Sequence, residues 1–244
     1  MSKVVTTTVL PDVDGTSLTI GAAGDNVVVT GNDLRTNVLQ DAGGNAVFTS
    51  NGSGVMSGMN SVFGGALNLL STQTARESSS VSFTTQLTST YDVYCFKYFD
   101  VHPATDDVNL QVQFSSDGGS SYGMTKTTTF FYAYNGETAA PALSYQTSRD
   151  LAQSTSAQQI ASLIGNDADA CAAGEFWLFA PSSTTYVKHF YGTYNGYETS
   201  TPYSINGYVA GYVNSTSAVN AAQFTMSSGN IDAGTIKLYG ISKT

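Results

Sequence analysis

Charge is what this chain has least of. Only 11% of its 244 residues are Asp, Glu, Lys or Arg, against roughly 25% in an average soluble domain. The nine basic residues are scattered from Lys3 to Lys243, and eighteen acids leave a net charge of −9. Wrapping a phosphate backbone needs a positive stripe that releases counterions, so nucleic acid is excluded as a partner. The acidic balance also argues against adhesion to an anionic membrane. No apolar run approaches the length of a helix that spans a bilayer, and no membrane insertion is expected. The opening Met1 to Asp12 carries no apolar core of a signal peptide, so the sequence predicts synthesis in a cytoplasm without an export signal. Two cysteines, Cys95 and Cys171, form no disulfide framework in a chain this long.

Catalytic residue types are equally sparse. The four glutamates, Glu77, Glu137, Glu175 and Glu198, read as solvated turn or strand-end residues rather than as an acid and base at fixed separation. His102 and His189 are the two histidines, and no Gly-x-Ser-x-Gly elbow accompanies them. The expectation is a chain that is not an enzyme and holds no cofactor.

What fills the sequence instead is neutral: Ser, Thr, Asn, Gln and fifteen tyrosines, punctuated by glycine. Val108, Leu110, Val112 and Phe114 alternate with Asn109, Gln111, Gln113 and Ser115, the period of a half-buried strand. Similar runs recur at Tyr91 to Val101, Thr127 to Tyr134, Glu175 to Ala180, Thr185 to Tyr194, Ser204 to Val213, Ala222 to Ser227 and Gly234 to Ser242. Gly, Ser, Asn and Asp clusters separate them, as at Ser115 to Tyr122, where Asp-Gly supplies a positive-φ turn. The fold class implied is all-β, an antiparallel jelly-roll-like β-sandwich over residues 66–244.

Residues 1–65 differ. Short β pieces such as Gly15 to Gly21, Asp25 to Gly31, Arg35 to Asp41 and Asn45 to Ser50 cannot bury a face alone. They predict an extended N-terminal β-rich arm for assembly or docking. Glycines 58, 64 and 65 weaken the helix-like stripe of Met56, Met59, Val62 and Phe63, so a loop is expected through Gly65. A strand from Ala66 to Thr74 should then turn at Ala75 to Ser79 and pair with Val81 to Thr88. Asn135 to Thr155 reads as a long polar connection. Ser156 to Ile164 is the one expected helix, with Ser156 as N-cap and Ile160, Leu163 and Ile164 on its buried edge.

Three clusters stand out as sites. Tyr191, Tyr194, Asn195 and Tyr197 combine ring faces with a directional amide, suited either to a glycan or to a subunit contact. The strand at Tyr91 to Val101 is apolar on both faces. Its Tyr94, Phe96 and Tyr98 face is expected to point outward into a subunit interface. Asp100, His102, Asp106 and Asp107 fall on one loop, where the three carboxylates could supply oxygen ligands to Ca²⁺, but the same residues also make an ordinary Asx turn.

Taken together, Gly15 to Gly21, Val38 to Gly54, Leu69 to Ala75 with Ser80 to Phe83, Ser89 to Tyr94 and Ser228 to Ile241 resemble structural proteins of tailed bacteriophages, especially marine ones. The resemblance spans most of the chain and rests on turn-and-strand patterns. It implies a non-enzymatic virion component, frequently a homotrimer. Other virion proteins would meet residues 1–65, and a host-surface glycan is a candidate ligand. A short tail-fibre or spike appendage for host attachment is the first expectation. A capsid decoration docked by the N-terminal arm, or a free carbohydrate-binding module, are the alternatives. No heptads or sustained shaft repeat occur, which limits any fibre to a short one.

Overall fold

The computed structural model describes residues 38–40, 46–50, 53, 56–59, 66–198 and 202–242. The chain divides into two units, residues 1–60 and 61–244. In the first unit, β1 (Val38–Gln40), β2 (Ala46–Ser50) and β3 (Met56–Met59) form a three-stranded antiparallel sheet. The loop expected through Gly65 therefore gives way to a strand at Met56–Met59. The expected pieces at Gly15 to Gly21 and Asp25 to Gly31 lie outside the described residues.

The second unit is an antiparallel β-sandwich of unequal sheets, with no helix among the described residues. Eight strands make the large sheet. They run in the order β4 (Leu67–Ser78), β15 (Ile231–Ile241), β6 (Val93–Pro103), β11 (Ala172–Phe179), β12 (Lys188–Glu198), β13 (Tyr203–Val213), β8 (Lys126–Gly136) and β9 (Ala142–Tyr145). The small sheet has the order β10 (Gln158–Ile164), β7 (Val108–Ser115), β14 (Ala221–Met226) and β5 (Val81–Phe83). Between them, Phe83, Phe114 and Phe224 from the small sheet meet Phe96, Phe176 and Phe190 from the large one. Ring centroids are 5.1 Å apart for Phe96–Phe224 and 5.7 Å for Phe114–Phe190. Edge-on and tilted contacts of this kind add specificity to the area that the rings bury.

Four local expectations are corrected by this architecture. First, Gln158–Ile164 is strand β10, not a helix. Its register against β7 shifts between Gln159 and Ala161 and again between Ala161 and Ile164, and Leu163 has φ +57°. Bulges break the period of two, so Ile160, Ala161 and Ser162 are all buried in succession. The resulting spacing of Ile160, Leu163 and Ile164 imitates a helical edge.

Second, β4 continues to Ser78, and β4 and β5 are not hairpin partners. β4 pairs with β15 and β5 with β14, so the turn between them carries the chain from one sheet to the other. Third, the 135–155 connection contains β9, paired to β8 at the sheet edge.

Fourth, Tyr94, Phe96 and Tyr98 face the core and carry no subunit interface: they are fully or almost fully buried. Each tyrosine hydroxyl has a partner. Tyr94 donates to the Thr88 carbonyl at 2.9 Å, and Tyr98 donates to the Ile160 carbonyl of the small sheet at 3.3 Å. Lys97 decides the direction. It shares its face with Val93 and Cys95, and its ammonium reaches the Glu175 carboxylate at 3.2 Å in a half-exposed pair. A lysine beside a carboxylate is kept near water, so the opposite face turns inward.

Candidate binding face

The residues expected as a metal site are not gathered. Asp100 and His102 belong to β6, whereas Asp106 and Asp107 lie on the loop that follows it. Both His102 ring nitrogens are engaged, Nδ1 with the Asp232 carboxylate and Nε2 with the Asp167 carbonyl, each at 3.2 Å. The Asp106 carboxylate accepts from the Asn166 backbone N–H at 3.2 Å. Among the described residues, no group of three or more His, Cys, Asp or Glu is placed to hold a metal ion. Cys95 and Cys171 are free thiols.

The Tyr191–Tyr197 cluster is split by strand parity. Tyr191, Asn195 and Tyr197 point outward from β12, while Tyr194 points into the core and is almost fully buried. Tyr194 is therefore not a surface binding residue. Its hydroxyl lies 2.5 Å from Ser162 Oγ on β10, a second bond across the sandwich beside that of Tyr98. Burial is the main cause that pushes its phenol up to about 12.

The outward residues of three adjacent strands define the face. They are His189, Tyr191, Thr193, Asn195 and Tyr197 on β12; Ser204, Asn206, Tyr208, Ala210 and Tyr212 on β13; and Thr127, Thr129, Phe131, Ala133 and Asn135 on β8. None is Asp, Glu, Lys or Arg. The charged residues of these strands, Lys126, Lys188 and Glu198, all point inward and are buried. This inverts the usual arrangement, in which charge covers the solvent face of an antiparallel sheet.

Aromatic rings stand on this neutral ground. Tyr191, 47% exposed, stacks beside Phe179 at 5.6 Å and 28° and beside Trp177 at 6.3 Å and 21°. A second pair, Phe131 and Tyr208, stacks at 5.1 Å and 15°. The ladder sets Trp177, Tyr191, Ala210 and Thr129 in one cross-strand row, and His189, Tyr212 and Thr127 in a parallel one. Because Ala210 contributes only a methyl between Tyr191 and Thr129, the face has a groove there. It measures about 390 Å³ and is walled by Phe179, His189, Tyr191, Tyr212 and threonines.

Alternation along Thr185 to Tyr194 could have separated Tyr191 from Tyr194 in the sequence alone. Nothing local marks Phe179, Ala210 or Thr129 as neighbours of Tyr191, because cross-strand register joins residues far apart in the chain. Comparison with protein-family models, with curated proteins and with solved structures returns no match to this chain.

Proposed function

We propose that this chain is a non-enzymatic structural protein of a bacteriophage virion, a short tail-fibre or spike-type appendage. It meets the host surface through the outer face of its large sheet. The observation that carries the reading is the inverted charge pattern. Three strands present rings, hydroxyls and amides outward while their ionisable residues are buried. An uncharged aromatic face of this kind suits a contact surface, since desolvating it leaves no unpaired charge. The phage-like segments, from Gly15 to Gly21 through to Ser228 to Ile241, supply the virion context.

In this reading the sandwich is displayed in symmetric copies, as a homotrimer, and residues 1–65 dock it on other virion proteins. Each copy then contributes a modest contact, and multivalency supplies the avidity. Immunogold labelling of purified particles with an antibody to the chain is the test. Label at tail appendages is the expected result. Label distributed over the head would make the protein a capsid decoration, and unlabelled particles would remove the virion role altogether.

A further inference from the structure

We propose that the groove over Ala210 is a subsite for a single uncharged pyranose ring. The inference deepens the attachment reading and rests on it for its biological setting, though not for its chemistry. It names the class of ligand, a neutral hexopyranoside, and the residues that hold it.

The volume of about 390 Å³ falls within the roughly 300–1,000 Å³ of small-molecule sites. Its walls combine two kinds of surface that a sugar ring needs together. The C–H faces of a pyranose pack on aromatic faces, and Tyr191, steadied by its neighbours Phe179 and Trp177, supplies them on one side. The equatorial hydroxyls need directional donors and acceptors. Those come from the exposed His189 ring, from Tyr212 beside it at 6.1 Å, and from the outward hydroxyls of Thr127 and Thr129 opposite, the latter as an acceptor because it donates to the Ala210 carbonyl at 3.4 Å. Thr127 Oγ accepts from the Gln153 side-chain amide at 2.9 Å, which fixes its rotamer and leaves its own proton to donate.

No carboxylate, ammonium or guanidinium lines the groove. A carboxylated or sulfated sugar would therefore lose hydration without meeting a counter-charge, and the site selects against it. A flat protein epitope fits less well, because the groove is a local depression at one small residue rather than a broad plane. The stacked Phe131 and Tyr208 pair lies farther along the same face, on β8 and β13. It gives a longer neutral glycan a second place to rest.

The chain's one tryptophan is Trp177, stacked behind Tyr191, so its emission reports on the groove. The full chain is titrated with the methyl glycosides of glucose, galactose, mannose and N-acetylglucosamine, with glucuronate and glycerol as controls. Saturation-transfer NMR on the same mixtures detects binding that leaves Trp177 unmoved. The expected result is saturable binding of at least one neutral hexoside, with glucuronate and glycerol much weaker. Tyr191→Ala should weaken that binding by about five- to tenfold, the equivalent of one lost ring contact. Ala210→Phe fills the groove from an exposed strand position that tolerates an aromatic, and should abolish binding with the melting temperature preserved.

Absence of binding by every neutral hexoside would overturn the proposal. So would glucuronate binding as tightly as the neutral sugars, or an Ala210→Phe protein that binds as wild type. Hexoside binding by a chain absent from particles would keep the subsite and remove the virion role. Labelled particles with no hexoside binding would do the reverse.

Discussion

Gly207 and Tyr194 face one another across β13 and β12, and the phenol ring covers the glycine so closely that a Cβ there would overlap it. The ring is held in place from the other sheet by Ser162 Oγ at 2.5 Å. On its other side Tyr194 pairs with Gly174, where a Cβ would meet the Tyr98 ring and the Thr193 carbonyl. Two tyrosines thus occupy space that two glycines leave on the inner face, and both reach β10 with their hydroxyls. The glycines are required by close approach rather than by backbone angle.

Gly207→Ala is expected to destabilise the sandwich by about 1–3 kcal/mol, because the ring must leave a fixed rotamer in a packed layer. Asn206→Ala, one residue away on the exposed face, should change stability by less than about 0.5 kcal/mol. Urea unfolding of the two variants makes the comparison. Equal effects would mean that the ring yields easily.

Removing the hydroxyl tests the inter-sheet bond separately. Tyr194→Phe leaves Ser162 Oγ buried without this partner and should cost about 1–2 kcal/mol. Adding Ser162→Ala removes the stranded group, so the double variant should recover part of that loss. A double variant no more stable than Tyr194→Phe alone would assign the effect to packing.

Lys126 is fully buried at the start of β8, with its ammonium donating to the Met124 carbonyl at 2.8 Å. Burial lowers its pKa from 10.5 to about 8. The folded state therefore binds the proton less tightly than the unfolded chain does. The resulting destabilisation is full below pH 8, shrinks as pH rises from 8 towards 10.5, and is absent above that range. Lys126→Met should stabilise the protein by about 1–3 kcal/mol at pH 7. Its advantage over wild type should be smaller at pH 9.5. Comparing the two proteins at each pH cancels the titration of Cys95 and the buried tyrosines. An advantage unchanged between pH 7 and 9.5 would show that Lys126 is not desolvated.

The two thiols should react at different stages. Cys95 has no solvent exposure, and burial is the main cause that pushes its thiol up to about 12. Cys171 is half-buried immediately before β11, with an upward push from burial and then from Asp100. A chromogenic disulfide reagent should titrate Cys171 in the native protein and reach Cys95 only with unfolding. Simultaneous release of both would mean that the β6–β11 ladder opens readily.

Alternation along the chain determined the all-β class, because period two is a local property that any half-buried strand must show. Val108 to Phe114 and Ser204 to Val213 were legible for that reason. The scarcity of charge was also there to be read. Facing was harder. Where both parities are apolar, as from Val93 to Phe99, only Lys97 marked the wet side, and the core claimed Tyr94, Phe96 and Tyr98 once their hydroxyls or rings found partners. Bulges hid β10, since two register shifts replace alternation with a run of buried residues.

Register was decided by the tertiary structure alone. It brings Trp177, Tyr191, Ala210 and Thr129 into one row from four strands, and it buries Lys126, Lys188 and Glu198 behind a face with no charge. Cross-strand hydrogen bonds join residues distant in sequence, so the groove depends on how strands align and not on what any one of them contains.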